Sequence, residues 1–105
     1  MSDNRVVLTG RVLGRIEQRV TPAGIPISRF TLDHRSTQTE VGMRREAALR
    51  LPVVAAGDAL AERLRGVGAD AALRVSGFLA RSSHRHAEHR ITLHAQDIEQ
   101  IASED

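Results

Sequence analysis

The sequence predicts an all-β chain: a small barrel of five strands, with one short helix between the third and the fourth. Three observations carry this. Apolar and polar residues alternate with a period of two over 27–35 and again over 45–54, the mark of strands with one buried face. Glycines interrupt β-branched and apolar runs at Gly10, Gly14 and Gly77, where a strand bends or carries a bulge. The period changes once, between Gly57 and Gly66, to the spacing of a helical face.

Taken in order, residues 5–19 (RVVLTGRVLGRIEQR) form one long strand bent at Gly10 and Gly14. TPAGIP at 21–26 sets two prolines around a glycine and reads as a turn. In 27–35, Ser28, Phe30 and Leu32 share the inward face, while Arg29, Thr31, Asp33 and Arg35 share the outward one. STQTEVGM at 36–43 reads as a polar loop. In 45–54, Ala47, Leu49, Leu51 and Val53 point inward, and Glu46, Ala48 and Arg50 outward. Asp58 is the expected N-cap of the helix, Leu60 and Leu64 lie four apart on its buried face, and Gly66 ends it in a left-handed turn. Residues 71–81 form the fourth strand, with a bulge at Gly77, and 82–89 (SSHRHAEH) a polar loop. The last strand, 90–101, buries Ile91, Leu93 and Ala95, with Ile98 and Ile101 continuing the burial. The expected organisation is a single domain over 1–101 followed by a short disordered acidic tail, 102–105. Five bent strands with a helix between the third and fourth follow the order of the OB-fold, a five-stranded Greek-key barrel.

Composition narrows the function. The 105 residues contain no cysteine, which excludes disulfides and thiolate metal sites. No apolar run approaches the ~20 residues of a membrane-spanning helix, and no basic-then-apolar segment opens the chain, so the expected location is cytoplasmic. The net charge is only +2, although the isoelectric point is about 10.9. Every basic residue is Arg, and without Lys, Tyr or Cys little titrates between neutral pH and ~12. Distribution says more than the total. Arg5–Arg50 carries nine Arg against four acids, and Arg81–His94 carries three Arg and four His against Glu88 alone. The last eleven residues hold four acids and no base. Such segregation points to a polyanionic partner.

A single nucleic-acid strand is held by a positive groove that follows the phosphates and by planar groups on which bases stack. The first requirement is met by Arg19, Arg29, Arg35, Arg44, Arg45, Arg50, Arg81, Arg85 and Arg90, with His84 beside them. The second is scarce: there is no Trp or Tyr, and only two Phe. Phe30 falls on the inward face. Phe78 shares the outward register of Arg74 and Ser76, which a bulge at Gly77 can reverse, so core and surface both stay open for it. Guanidinium planes stack as well as pair with phosphate. The expected binding is electrostatic, indifferent to sequence and strongly salt-dependent.

Other chemistries fare worse. His84, His86 and His89 have a spacing that can ligate zinc or copper. Against a cation stand Arg81, Arg85 and Arg90, with Glu88 the one carboxylate in the loop. The loop reads instead as one that gains positive charge as pH falls through ~6.5, raising DNA affinity. Asp33 and His34 are adjacent on a strand and point to opposite faces, so they make no catalytic dyad. No phosphate-binding glycine loop, DxD metal pair or His/Glu zinc motif is present. The sequence calls for no catalysis, no cofactor and no metal.

Several segments carry a family resemblance. NRVVLTGRV (4–12), TPAGIP, SRFTLDHRS (28–36) and VSGFL (75–79) resemble bacterial single-stranded-DNA-binding proteins. Within that superfamily the chain is similar to primosomal replication protein N, PriB, over Asn4–Gly10, Pro22–Pro26, Phe30–Ser36, Arg45–Val53, Val75–Leu79 and Leu93–Ile101. The resemblance implies a homodimer of OB-folds that binds single-stranded DNA. It also implies binding and stimulation of the PriA helicase during replication restart, with other primosome proteins as further partners. Arg19, Arg35, Arg85 and Arg90 fall where PriB relatives carry basic groups, whereas Ser83 departs from a Lys found in some of them. Two alternatives remain open. One is a general single-stranded-DNA-binding protein, and the other a protein-interaction OB module with little DNA affinity.

Overall fold

The computed structural model describes residues 2–81 and 90–102. β1 (Val6–Val20), β2 (Pro26–Glu40), β3 (Met43–Ala56), β4 (Ala72–Arg81) and β5 (Ile91–Gln100) close into a barrel of order β1-β2-β3-β5-β4. A helix α1 (Asp58–Arg63) lies between β3 and β4. This is the expected OB-fold. The alternation in the sequence is realised as burial: Ser28, Phe30 and Leu32 of β2 and Val53 of β3 turn inward. They meet Val12, Ala55, Leu73, Val75, Leu93 and Ile98 in one core. Leu64, just after α1, is buried and joins that core. Arg63 ties the helix to β5 by donating to the Asp97 carboxylate at 2.6 Å and to the Ile98 carbonyl at 2.7 Å. Among the described residues no helix is long and apolar enough to cross a membrane.

The polar loop expected at 36–43 is not there. β2 runs to Glu40, β3 starts at Met43, and the two pair without a break from Ile27↔Ala56 to Glu40↔Met43. Only Val41 and Gly42 are left for the turn, both with positive φ (50° and 73°). That is the geometry of a two-residue turn whose twist matches the flanking strands. Polar residues misled here because this half of the hairpin stands clear of the barrel, with both faces in solvent. For the same reason Leu49, expected inside, is 42% exposed and Ala47 only half-buried. Ile91, also expected inside, is 45% exposed at the start of β5.

Two further expectations are corrected in detail. Gly57, not Asp58, is the N-cap, and Asp58 is the acidic residue of the first helical turn, where it complements the helix dipole. The β4–β5 bulge does fall at Gly77, but the extra residue is Gln96, between Gly77↔Ala95 and Ser76↔Asp97. It lets both Leu93 and Ile98 face inward. Gly77 is required by the close approach of β5, since a Cβ there would collide with the His94 carbonyl oxygen.

Candidate nucleic-acid interface

The Arg side chains are placed by strand parity. On β2, Arg29 and Arg35 share the outward side with Thr31 and Asp33. The ladder sets Arg29 beside Val54, Thr31 beside Pro52, Asp33 beside Arg50 and Arg35 beside Ala48. Across the other edge of β2, Arg19 pairs with Ile27 and Glu17 with Arg29, so Arg19 extends this face toward the 21–25 turn. Arg90 leads into β5, next to the Arg81↔Ile91 pair that ends β4. Arg44 and Arg45 sit at the far end of the hairpin, opposite Thr39 and Gln38.

Of these, Arg29, Arg50 and Arg90 border two adjoining depressions, whereas Arg19, Arg35 and Arg81 line neither. A cleft of 560 Å³ is lined by Arg29 and Arg90, with Arg15 and Glu17 of β1, Thr31, Thr92 and the apolar Leu13, Phe30, Pro52, Val53 and Val54. A smaller one of 360 Å³ shares Pro52 and Arg90 with it and adds Arg50, Leu51 and Ile91. Arg15, Arg29, Arg90 and Arg50 thus border one continuous track. The structure brings Arg29, Arg50 and Arg90 together and leaves Arg44 and Arg45 at the tip. His84 and Arg85, with His86 and His89, lie outside the described residues.

Their charges are not equally available. Arg45 pairs with Glu40 at 3.1 Å, and Arg50 lies 3.7 Å from Asp33. Among the described residues Arg15, Arg19, Arg29, Arg35, Arg44, Arg81 and Arg90 form no ion pair, so their charge faces solvent. Asp33 points outward to Arg50, while His34 is buried and bonds the Thr9 carbonyl (2.6 Å) and the Ser36 hydroxyl (2.7 Å). The two sit on opposite faces, as strand geometry requires. Among the described residues no group of three or more His, Asp or Glu is arranged to hold a metal ion.

Phe78 is half-buried on the outward side of β4, cross-strand from His94. The rings stack at 5.0 Å with 5° between their planes. One face of the Phe78 ring is therefore already covered. Phe30 is in the core. Sequence reasoning missed Arg15, although period-two alternation places it on the outward side with Leu13 and Glu17. That alternation across 13–17 was the signal that could have found it.

Comparison with known proteins agrees with this fold. A family model described as "another single-strand binding protein family" matches residues 4–97. Replication restart protein PriB of Proteus mirabilis (strain HI4320) is 40% identical over 105 residues, the whole of both chains. Among solved structures, PriB from Ralstonia solanacearum superposes with a TM-score of 0.78 at 27% identity, covering 94% of this chain and 98% of that one. A Plasmodium falciparum single-strand binding protein solved with single-stranded DNA reaches a TM-score of 0.79 at 13% identity, covering 97% of each chain, and shares the fold. With the family model spanning nearly all of its residues and a relative this similar over its full length, the chain belongs to the single-strand binding protein family and, within it, to the PriB replication restart proteins.

Proposed function

We propose that the protein is a non-catalytic, single-stranded-DNA-binding accessory of the replication restart primosome, working as a homodimer that binds and stimulates the PriA helicase. The observation that carries DNA binding is the Arg track. Arg15, Arg29 and Arg90 border one cleft in which Glu17 is the only acid among the described residues, and Arg50 continues it. Such a groove follows a phosphate backbone. Family membership supports the restart role and the helicase partner. Dimerisation is supported by the edge of β1. Val6–Gly10 ladder with β4, but β2 joins β1 only from Arg11 onward. That leaves one side of Val6–Leu8 open, ahead of the His34–Thr9 bond, with Val7 51% exposed, and an open strand edge is a template for a second chain.

Fluorescence anisotropy with oligo-dT at two salt concentrations tests the DNA reading. Binding should weaken steeply as salt rises, with a log–log slope of roughly −0.7 per phosphate contacted. No binding at low salt would leave a protein-interaction module. Light scattering should give twice the 11.5 kDa chain mass, and a pulldown with PriA should succeed with and without DNA.

A further inference from the structure

We propose that the 560 Å³ cleft is a seat for one unstacked nucleotide, its base against Leu13 and Pro52 and its flanking phosphates on Arg15, Arg29 and Arg90. This rests on the reading that the protein binds single-stranded DNA. It adds where a base goes in a chain with so few free aromatic rings.

The cleft originates in β1. Leu13 pairs with Thr31 and Glu17 with Arg29, so the three residues 14–16 oppose Phe30 alone. Gly14 takes φ +77, in the left-handed region that residues with a Cβ avoid. No atom lies within 4 Å of where its Cβ would be, so conformation rather than space calls for glycine. Alternation continues through the bulge and gives its residues two tasks. Ile16 packs against the core, and Arg15 lines the cleft.

The lining is what one nucleotide requires. Its volume falls within the range of small-ligand sites, roughly 300–1,000 Å³. Leu13 and Pro52 flank Thr31 in register and offer apolar surface, with Leu13 38% exposed. A track that touched phosphates alone would gain nothing from such walls. Arg15, Arg29 and Arg90 outnumber Glu17, and none of the three is tied to a carboxylate among the described residues. The Thr31 and Thr92 hydroxyls and the Glu17 carboxylate supply acceptors for the N–H groups of a base edge. With Phe30 buried and one face of Phe78 covered by His94, a base lifted from its stack finds its apolar contact here.

The test compares a dT strand with an abasic strand of equal length and equal phosphate number, by anisotropy at fixed salt. Wild type should prefer dT severalfold, since a base against Leu13 and Pro52 buries apolar surface without an aromatic stacking partner. Leu13→Ser should remove most of that preference while leaving the abasic strand unchanged. Arg15→Gln should weaken both strands alike. Thermal melting establishes that the variants fold. As a readout independent of any variant, 4-thiothymidine strands photocrosslinked to wild type should leave adducts on peptides holding residues 13–15 or 52. Equal affinity for the two strands, a Leu13→Ser protein with the full dT preference, or adducts only elsewhere would overturn the seat. Failure of both strands to bind would instead sink the DNA-binding function, and with it an acidic peptide segment would become the occupant to examine.

Discussion

At the scale of single residues, several polar side chains replace backbone pairing where the barrel ladder runs out. Asn4 is the clearest. Its amide donates to the Leu79 carbonyl at 2.8 Å and accepts from the Leu79 N–H at 2.9 Å, the two-way exchange of a strand pair made by a side chain. It thereby adds one rung to the β1–β4 ladder. Asn4→Ala removes both bonds. At this exposed site the expected loss is about 1 kcal/mol, or roughly 5 °C in Tm for a chain of this size, measurable by thermal denaturation. His34 acts similarly at the other seam. Regular β1–β2 pairing stops at Arg11↔Asp33, and the next β2 residue reaches the Thr9 carbonyl with its ring. Ser36 then bonds the other ring nitrogen and accepts a hydrogen bond from Gln38 at 2.9 Å. Alternation alone places His34 inward. What it bonds there follows from how far β1 has diverged, which no local pattern reveals.

At the scale of elements, the β2–β3 hairpin is the largest departure from the sequence reading. Its ladder extends well beyond the barrel and makes the molecule 51 Å long against 33 and 29 Å across. A strand exposed on both faces has no reason to alternate, so its sequence resembles a loop. The turn itself is strained. Val41 is β-branched, 95% exposed and at φ 50°, a conformation tolerated by Asn or Gly and costly for Val. Val41→Asn should raise stability by roughly 0.5–1 kcal/mol. Urea denaturation with an unchanged m-value would register it, and an unchanged or lower midpoint would show that the tip is not strained.

At the scale of the whole molecule, charge placement matters more than the net charge of +2. Arg29→Ala and Arg90→Ala should each lower affinity for every strand sequence and reduce the salt slope by about 0.7–1. Arg74, engaged by Glu99 at 2.7 Å on β4 and β5, lies outside the track. Arg74→Ala should leave both quantities unchanged. Equal slopes for all three variants in salt titrations would mean that the cleft does not hold the phosphates. Arg45, paired with Glu40 at the hairpin end, should have an effect closer to that of Arg74.

The sequence by itself determined the number and order of the elements, the inward set Ser28, Phe30 and Leu32, the bulge at Gly77 and the abundance of Arg. Each is a local consequence of side-chain period, backbone freedom or composition. The tertiary structure alone decided which Arg converge and which are neutralised. Arg15, Arg29 and Arg90 lie on three segments, and only barrel closure and the β1 bulge bring them to one cleft. It also decided Phe78, whose parity pointed outward but whose availability depends on His94 across the β4–β5 ladder. A period fixes the side of a strand on which a residue lies. What it meets there depends on a partner strand distant in sequence, and on the bulges that set the register between them.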